Sequence, residues 1–401
     1  MKNYSRITPE GTRDYLFEEC RSRHRIEKKL SDIFSARGFR EVVTPGLEYY
    51  DVFDPAFSGI GQEVLFKMSD RQGRIVVMRP DNTLPIARLA ATRLQNLRKP
   101  LRLFYVQPIY RSHPGLAGRS SEDVQAGVEL LGAGGFRADL EVLATAVEAL
   151  NACAPGFRME IGHAGFFRSL AKSLPDSGDF RERVRGAVES KNYGALDVCL
   201  SGLEDSPQIR ALRALPRLYG GEEVFEKAAP FCTGELEKTL CSLRRLYRTL
   251  AGLGLGGRLM ADLGLVQRND YYTGIVFSAY LEGCGDAVLR GGRYDGLLEH
   301  FGEPMPAVGF GVDVDALTRA ALERRAARTP SRADVLVHGG DGYELAALKH
   351  AAELIAKGLR CETSVFPTEE DAAAYARACG IRRMDVVGSG IRTVRFGEGK
   401  A

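Results

Sequence analysis

The sequence predicts an α+β protein with two domains: a sheet core over residues 1–325 with a helical insertion at about 165–258, and a small α/β domain over 333–401. Two observations predict this division. Segments of strand composition lie on both sides of a stretch dominated by Leu, Arg, Ala and Glu. After the linker RAARTPSRA, apolar strand segments alternate with helical ones, which is typical of a compact unit with a mostly parallel sheet.

Hydrophobic periodicity predicts the elements of the first half of the core. In chain order they are a helix at 16–37, a hairpin of segments 64–68 and 74–79, a helix from Thr83, strands at 101–111 and 122–131, and a helix at 137–152. In the first helix Leu16, Ile26, Leu30, Ile33 and Phe34 form the apolar face, and Gly38 supplies the stop.

The insertion is predicted to be a series of helices separated by Pro and Gly, and strand signals return after it. In chain order the later elements are strands at 271–280 and 286–290, the glycine-rich turn RGGRYDGL, a strand at 306–312 and a helix at 314–325. The C-terminal domain is predicted as strands VLVHG, CETSVF, MDVVG and TVRF with helices at 343–357 and 369–379.

Composition places the chain among ordinary globular proteins, with 44% hydrophobic and 27% charged residues. The 55 basic and 52 acidic residues nearly balance, so no broad nucleic-acid footprint is expected. The eight cysteines form no C-x-x-C motif, which predicts reduced thiols rather than a zinc site or a disulfide framework. With no secretory leader and no apolar run of membrane-spanning length, the expected compartment is the cytoplasm.

Three segments combine polar side chains that suit a binding pocket: RPDNT at 79–83, QAGVE at 125–129 and DYY at 270–272. Gln125 and Glu129 are an even number of residues apart, so on a strand they point to the same side. Acids together with an amide suit a ligand that has an ammonium group and a polar ring, such as an amino acid.

Four further residues of these segments complete the candidate pocket. Asp81 and Thr83 add an acid and a hydroxyl at a strand end, and Tyr271 and Tyr272 add phenols and an aromatic wall. The alternative is that these polar residues only satisfy one another at the end of a sheet.

The turn RGGRYDGL carries two cations, Arg290 and Arg293, beside glycines that allow close approach of a ligand. Phosphate binding is one interpretation. The other is a tight turn in which the arginines pair with Asp295 or Glu299.

Taken in order, six segments resemble the catalytic core of class II histidyl-tRNA synthetases. They are TPEGTRD, RPDNT, YRSHPGLAGRSSEDVQAGVELLG, DYYTGIVF, RGGRYDGL and PAVGFGVDVDAL. The resemblance covers residues 6–155 and 260–322, with a weaker similarity over 333–398. It implies an antiparallel sheet flanked by helices, with a helical insertion and an appended domain similar to a reduced anticodon-binding one.

The resemblance also implies that the synthetase chemistry is missing. The family holds the ATP α-phosphate with arginines, since the charge that develops there must be stabilised. Arg111 matches the arginine of the second class motif and is retained as a candidate phosphate or nucleotide contact. Ala316 and Gln267 stand where the other two arginines are expected, and the neighbouring Arg268 points to the opposite face of an extended chain.

Further departures lie in the second class motif. His113 replaces a glutamate that meets adenine, Ser121 replaces an arginine of the loop, and Asp123-Val124 replaces a phenylalanine-histidine pair. Loss of a single preorganised donor typically raises the barrier by about 2.7–4 kcal/mol. No catalytic residue, metal site or cofactor is therefore expected.

The amino-acid side of the pocket is kept, and the resemblance implies that it binds histidine. The matching residues are Asp81, Thr83, Gln125, Glu129, Tyr271 and Tyr272. The contacts to the amino acid are kept and those to ATP are lost. In this respect the sequence resembles the regulatory subunits of ATP phosphoribosyltransferase, which are paralogues of the synthetases. That family implies a non-catalytic subunit required by a short-form catalytic partner in the first step of histidine biosynthesis.

The same resemblance implies feedback control by histidine and a homodimer within a hetero-octamer, with no membrane contact and no tRNA role. Two alternatives remain open at this point. One is a divergent histidyl-tRNA synthetase in which Arg268 and Arg111 suffice. The other is a synthetase-like module that binds RNA or another partner without histidine control.

Overall fold

The computed structural model describes residues 4–113, 119–175, 178–265, 271–324 and 333–397. The chain divides into two compact units, Met1–Arg324 and Arg325–Ala401. Within the described ranges, no helix combines the length and the apolar character that crossing a bilayer requires.

The first unit combines short and long strands with helices. Its strands are β1 Arg40–Glu41, β2 Leu47–Tyr49, β3 Lys67–Ser69, β4 Ile75–Met78, β5 Leu101–Tyr110, β6 Glu122–Leu131, β7 Arg158–His163, β8 Tyr219–Gly220, β9 Leu259–Asp262, β10 Ile275–Tyr280, β11 Leu289–Arg293 and β12 Ala307–Asp313. Its α-helices are α1 Glu18–Ala36, α2 Pro55–Ser58, α3 Thr83–Thr92, α4 Phe136–Cys153, α5 Ala164–Ala171, α6 Gly178–Glu189, α7 Tyr193–Leu200, α8 Pro207–Ala214, α9 Glu223–Ala228, α10 Glu235–Leu250 and α11 Val314–Glu323.

Nine of these strands form one sheet in the order β1-β5-β6-β12-β11-β10-β7-β9-β8. The pairs from β5 through β6, β12, β11 and β10 to β7 are all antiparallel. Parallel pairs occur towards the two edges, between β1 and β5 and between β7 and β9. The predicted α+β class with an antiparallel sheet core is confirmed. A separate three-stranded sheet, β2-β4-β3, contains the predicted hairpin.

The large sheet has two unlike faces because successive side chains of a strand alternate. Along β6, Val124, Ala126, Val128 and Leu130 enter a core that also contains residues of α1, α4 and α11. The intervening residues of β6 face the other side, towards α3, where a smaller cluster includes four buried tyrosines. This second face carries the candidate site.

The helical insertion leaves the sheet at the end of β7 and returns at the start of β9, its parallel neighbour. It is therefore a crossover connection, and β8 within it adds the outermost strand. The sequence predicted the helices but not β8 or β9. Strand β8 has two residues and β9 has four, so neither is long enough to show a clear alternating pattern.

The first residues of helices α1 and α8 are set by local sequence features. Helix α1 begins at Glu18, so Leu16 precedes it and is 59% exposed rather than part of its apolar face. Helix α8 begins with Pro207 in its first turn, and the Ser206 side chain accepts a hydrogen bond from the Ile209 amide. Proline at this position loses no helical hydrogen bond, and the serine satisfies an otherwise unpaired donor.

The second unit is a four-stranded sheet with two helices. Its elements are β13 Val335–Gly339, α12 Glu344–Ala356, β14 Cys361–Thr363, α13 Glu369–Ala378, β15 Arg383–Val387 and β16 Ile391–Arg395. The order is β14-β13-β15-β16, with β16 antiparallel and the other pairs parallel. This confirms the mostly parallel sheet that the alternating pattern predicts.

Candidate functional site

The candidate site is organised around Glu129, which is 1% exposed on the α3 side of β6. Thr83, the first residue of α3, donates from Oγ1 to Glu129 Oε1 at 2.8 Å. The hydroxyl of Tyr294 donates to the other carboxyl oxygen. The carboxyl group is thus held from two separate segments, a helix start and the turn after β11.

Burial raises the pKa of Glu129 to about 8, because a charged carboxylate is poorly solvated there. The two hydroxyl donors oppose this shift, and the neighbouring Asp81 adds to it. At neutral pH the group is therefore mostly protonated. A neutral carboxyl can both donate and accept a hydrogen bond, unlike a carboxylate, which only accepts.

Tyrosine rings form one wall of the site. The rings of Tyr271 and Tyr272 lie 4.8 Å apart, and Tyr271 meets Tyr294 edge-on at 5.8 Å. Burial, reinforced by nearby carboxyl groups, raises the pKa of Tyr271 and Tyr294 well above the usual value. The phenols therefore stay protonated and remain hydrogen-bond donors.

Asp81 lies next to α3 and is 8% exposed. Its Oδ1 accepts a hydrogen bond from the Leu84 amide at 3.1 Å. Burial raises its pKa, while the positive charge of Arg111 acts in the opposite direction. An acid that is buried but close to a cation can neutralise a ligand's ammonium group.

Gln125 is fixed by a hydrogen-bond network. Its Oε1 accepts from Asn82 Nδ2 and from the Tyr105 hydroxyl, both at 3.1 Å. Asn82 in turn accepts from Gln107 Nε2 at 2.8 Å, and the same nitrogen of Gln107 contacts Thr44 Oγ1 at 3.0 Å. The Gln125 side-chain oxygen is thereby engaged, which orients the amide.

Four residues of this site were not identified from the sequence. They are Asn82, Tyr105, Gln107 and Tyr294. A signal existed for two of them, because Tyr105 and Gln107 pair across the ladder with Gly127 and Gln125 and so share the face of Glu129.

Glycines in β12 allow the polar side chains to lie flat on the sheet. Gly309 is paired with Glu129, and a Cβ atom there would overlap the Glu129 carboxyl group. A Cβ atom at Gly311 would likewise overlap the side-chain amide of Gln125. The two glycines of the motif PAVGFGV are thus needed because two side chains approach the β12 backbone closely, and not because the chain turns there.

The structure brings together all six residues predicted to bind histidine. Direct hydrogen bonds or ring contacts join Thr83 to Glu129 and Tyr271 to Tyr272. Asp81 and Gln125 adjoin the same cluster, Asp81 through its electrostatic effect on Glu129 and Gln125 through Asn82.

The far end of the same sheet face is acidic. Carboxylate oxygens of Asp123, Asp313 and Asp315 lie within 4.8 Å of one another. Asp313 accepts a hydrogen bond from the Ala316 amide at 2.8 Å, and Asp315 accepts one from the Val124 amide at 2.7 Å. Burial raises the pKa of Asp313 to about 6, so the group is still mostly ionised at neutral pH.

Arg111 lies between the two ends of this face. Its Nε donates to the Pro80 carbonyl at 2.8 Å, and its charge acts on both Asp81 and Asp123. The predicted departures at Gln267 and Arg268 lie outside the described residues.

The arginines of RGGRYDGL have carboxylate partners. Arg293 donates to Asp139 at 2.8 Å and to Asp295 at 2.8 Å. Arg290 pairs with Asp286, which the sequence did not indicate. The tight-turn interpretation, in which an arginine pairs with Asp295, is therefore confirmed for Arg293.

Comparisons with known proteins agree with this architecture. The family model described as histidyl-tRNA synthetase matches residues 11–317. An ATP phosphoribosyltransferase regulatory subunit of Clostridium kluyveri is 37% identical, over 96% of this chain and 100% of the relative. One of Clostridium acetobutylicum is 38% identical, over 94% of this chain and 93% of the relative.

A solved structure supports the same conclusion. It is a Bacillus halodurans protein described as an ATP phosphoribosyltransferase regulatory subunit/histidyl-tRNA synthetase. It superimposes with a TM-score of 0.82 at 31% identity, covering 93% of this chain and 97% of that one. The chain therefore belongs to the family of ATP phosphoribosyltransferase regulatory subunits, which share the histidyl-tRNA synthetase fold.

Proposed function

We propose that the chain is a cytoplasmic, non-catalytic regulatory subunit of ATP phosphoribosyltransferase, and that histidine bound beside Glu129 is its effector. Relatives that match over nearly the whole chain are ATP phosphoribosyltransferase regulatory subunits, which supports the regulatory role. The effector is inferred from the chemistry of the pocket.

The observation that carries the effector assignment is the buried Glu129 carboxyl group with its two hydroxyl partners. An imidazole has one donor and one acceptor nitrogen, and a protonated carboxyl with nearby phenols can serve both. The Asp81 carboxyl group suits the α-ammonium group, and the tyrosine wall excludes water from the ring. These features match histidine better than a purely apolar or purely charged amino acid.

The acidic group at the other end of the sheet face supports the proposed lack of catalysis. A triphosphate bound there would lie close to three carboxyl groups, those of Asp123, Asp313 and Asp315, whose oxygens are within 4.8 Å of one another. Ala316, which the resemblance places where the synthetases have an arginine, has no charge to offer. Like charges a few ångströms apart disfavour binding strongly. Arg111 remains a candidate contact for a phosphate or nucleotide, but it acts alone among the three arginine positions.

The partner proposed is the short-form catalytic subunit, with this chain as a homodimer inside a hetero-octamer. Histidine would act as a feedback inhibitor if it bound the inhibited state of that complex more tightly than the active one. The resemblance to the family supports the stoichiometry, and the pocket supports the effector.

Calorimetric titration of histidine into the wild type and Glu129→Ala tests the effector assignment. We expect the variant to lose binding by a factor of about 100, since removal of a buried hydrogen-bonding partner costs up to roughly 3 kcal/mol. Glu141→Ala is the matched control, because Glu141 pairs with Arg102 and lies outside the pocket. Unchanged affinity in Glu129→Ala would refute the assignment.

Co-purification with a short-form phosphoribosyltransferase tests the regulatory role. We expect a stable complex, phosphoribosyl transfer only when this chain is present, and inhibition by histidine that Glu129→Ala abolishes. Full activity of the short-form enzyme without this chain would contradict the proposal.

The alternative function is a divergent histidyl-tRNA synthetase, favoured by the description of the matching family model. Histidine-dependent exchange of pyrophosphate into ATP measures it directly, and robust exchange would replace the regulatory proposal. Tight and salt-sensitive tRNA binding without histidine control would instead indicate an RNA-binding module.

A further inference from the structure

Helix α5, the first helix of the insertion, contacts the backbone that carries the pocket tyrosines. Arg168 donates from Nη2 to the carbonyl oxygen of Tyr272 at 2.6 Å. At the start of the same helix, the Ala164 amide donates to the carbonyl oxygen of Gly274 at 2.8 Å. The two bonds from α5 therefore flank Thr273.

The opposite side of this short segment is held by the end of β11. The Thr273 amide donates to the Arg293 carbonyl at 2.7 Å, and the Asp295 amide donates to Thr273 Oγ1 at 2.9 Å. Tyr294, between those two residues, contacts Glu129. The pocket wall is thus fixed by β11 on one side and by the insertion on the other.

Helix α5 is anchored in the insertion and follows its position. Phe166 and Leu170 are only 2% and 3% exposed and belong to the core cluster that extends into the insertion. The helix packs against α8 and α10. Arg168 itself is an exposed residue and is not part of that core cluster.

The nearby His163 does not make this contact pH-dependent in the physiological range. Its Nδ1 accepts a hydrogen bond from the Gly165 amide at 3.0 Å. Burial, followed by the charges of Arg168 and Arg293, lowers the pKa of His163 to about 4. The imidazole is therefore neutral above pH 5.

We propose that Arg168 is a positioning residue for the pocket and that it couples the helical insertion to occupancy of the histidine site. The inference rests on the proposed function, because it concerns the same site. Ordering of Tyr271 and Tyr272 around a ligand is transmitted through the Tyr272 carbonyl to α5. By linkage, the free energy by which bound histidine favours one position of the insertion equals the free energy by which that position strengthens histidine binding.

The test compares Arg168→Ala and Arg168→Lys with Arg213→Ala as the matched control. Arg213 also lies in the insertion and donates to a backbone carbonyl, that of Leu200, at 3.2 Å. Histidine affinity is measured by calorimetry on the full chain. We expect Arg168→Ala to weaken binding about fivefold, the usual effect of one hydrogen bond, with partial recovery in Arg168→Lys. Arg213→Ala should stay within about twofold of the wild type.

Hydrogen–deuterium exchange supplies a second readout that a purely structural role would not change. Peptides covering α5 should gain protection when histidine is added to the wild type, and this gain should be lost in Arg168→Ala. If the two alanine variants have equal affinity, or if α5 responds to histidine equally in both, the inference is overturned. If the wild type binds no histidine, the proposed effector fails as well, so the two failures are distinguishable.

Discussion

The wild-type protein should lose stability as pH rises from 5 to 8, and replacement of Glu129 by Gln should prevent this loss. Burial is the main cause that raises the Glu129 pKa from 4.5 to about 8 in the folded protein. In the unfolded chain the group ionises near its usual value. Between these two values the folded state therefore binds more protons than the unfolded state, and stability falls with increasing pH.

The magnitude follows from the size of the shift. At about 1.4 kcal/mol per pKa unit, the rise to about 8 corresponds to a total of roughly 5 kcal/mol, of which roughly 3 kcal/mol develops between pH 5 and 8. For a domain of this size about 2 °C in Tm accompanies each kcal/mol, so roughly 6 °C is expected. Gln matches the shape of the protonated acid and does not ionise, so Glu129→Gln should escape this loss.

The assay is thermal unfolding of the wild type and Glu129→Gln at constant ionic strength from pH 5 to pH 8. The difference in Tm between them isolates one group, because Asp313 and other residues titrate equally in both proteins. We expect the variant to gain on the wild type steadily as pH rises. Parallel curves would show that Glu129 is already ionised at pH 5 and would refute the reasoning. Glu141→Gln is the control, and its curve should parallel the wild type.

Three further predictions concern single contacts. Gly309→Ala should abolish histidine binding, because the new Cβ atom overlaps the Glu129 carboxyl group. It should also lower the free energy of unfolding by roughly 1–3 kcal/mol, measured by denaturant titration. The control Gly296→Ala places its Cβ atom in open space and should change neither histidine binding nor stability. Lys191 Nζ lies 2.8 Å from Asp262, which is 1% exposed. Lys191→Ala leaves this buried carboxylate unpaired, so the single variant should lose more stability than the double variant Lys191→Ala/Asp262→Asn. Additive effects in this double-mutant cycle would contradict the prediction. In the second unit, burial of Asp385 is outweighed by hydrogen bonds from Arg383, His350 and Thr393, which lower its pKa to about 2. The stability that the Asp385 carboxylate contributes should therefore be complete above pH 4 and decline as pH falls towards 2. Asp385→Asn should remove this decline in acid titrations followed by circular dichroism, and an unchanged acid profile would contradict the assignment.

Much of the fold was predictable from periodicity, because long elements repeat their pattern several times. Strands β5 and β6 lie within one residue of the predicted bounds, and α4 and α11 do so within two. Strands β8 and β9 were missed because they have two and four residues, too few for a pattern to emerge. The pairing of β9 with β7 also spans the whole insertion, which no local signal encodes.

For the candidate site, the sequence by itself determined that Gln125 and Glu129 share one face of a strand, because side chains alternate with a period of two. It also determined that Asp81 and Thr83 lie where a strand gives way to a helix. Only the tertiary structure decided which groups meet them. Tyr294 reaches Glu129 across 165 residues of chain, and Arg293 reaches Asp139 across 154.

The same division applies to the charges. Sequence spacing could not show that Asp123, Asp313 and Asp315 converge, because their proximity depends on the register between β6 and β12. Nor could it show that Glu129 is neutral at pH 7, because the shift comes from burial by segments distant in sequence. Periodicity fixes which way a side chain points, whereas its partners and its protonation state depend on long-range packing, which only the folded chain supplies.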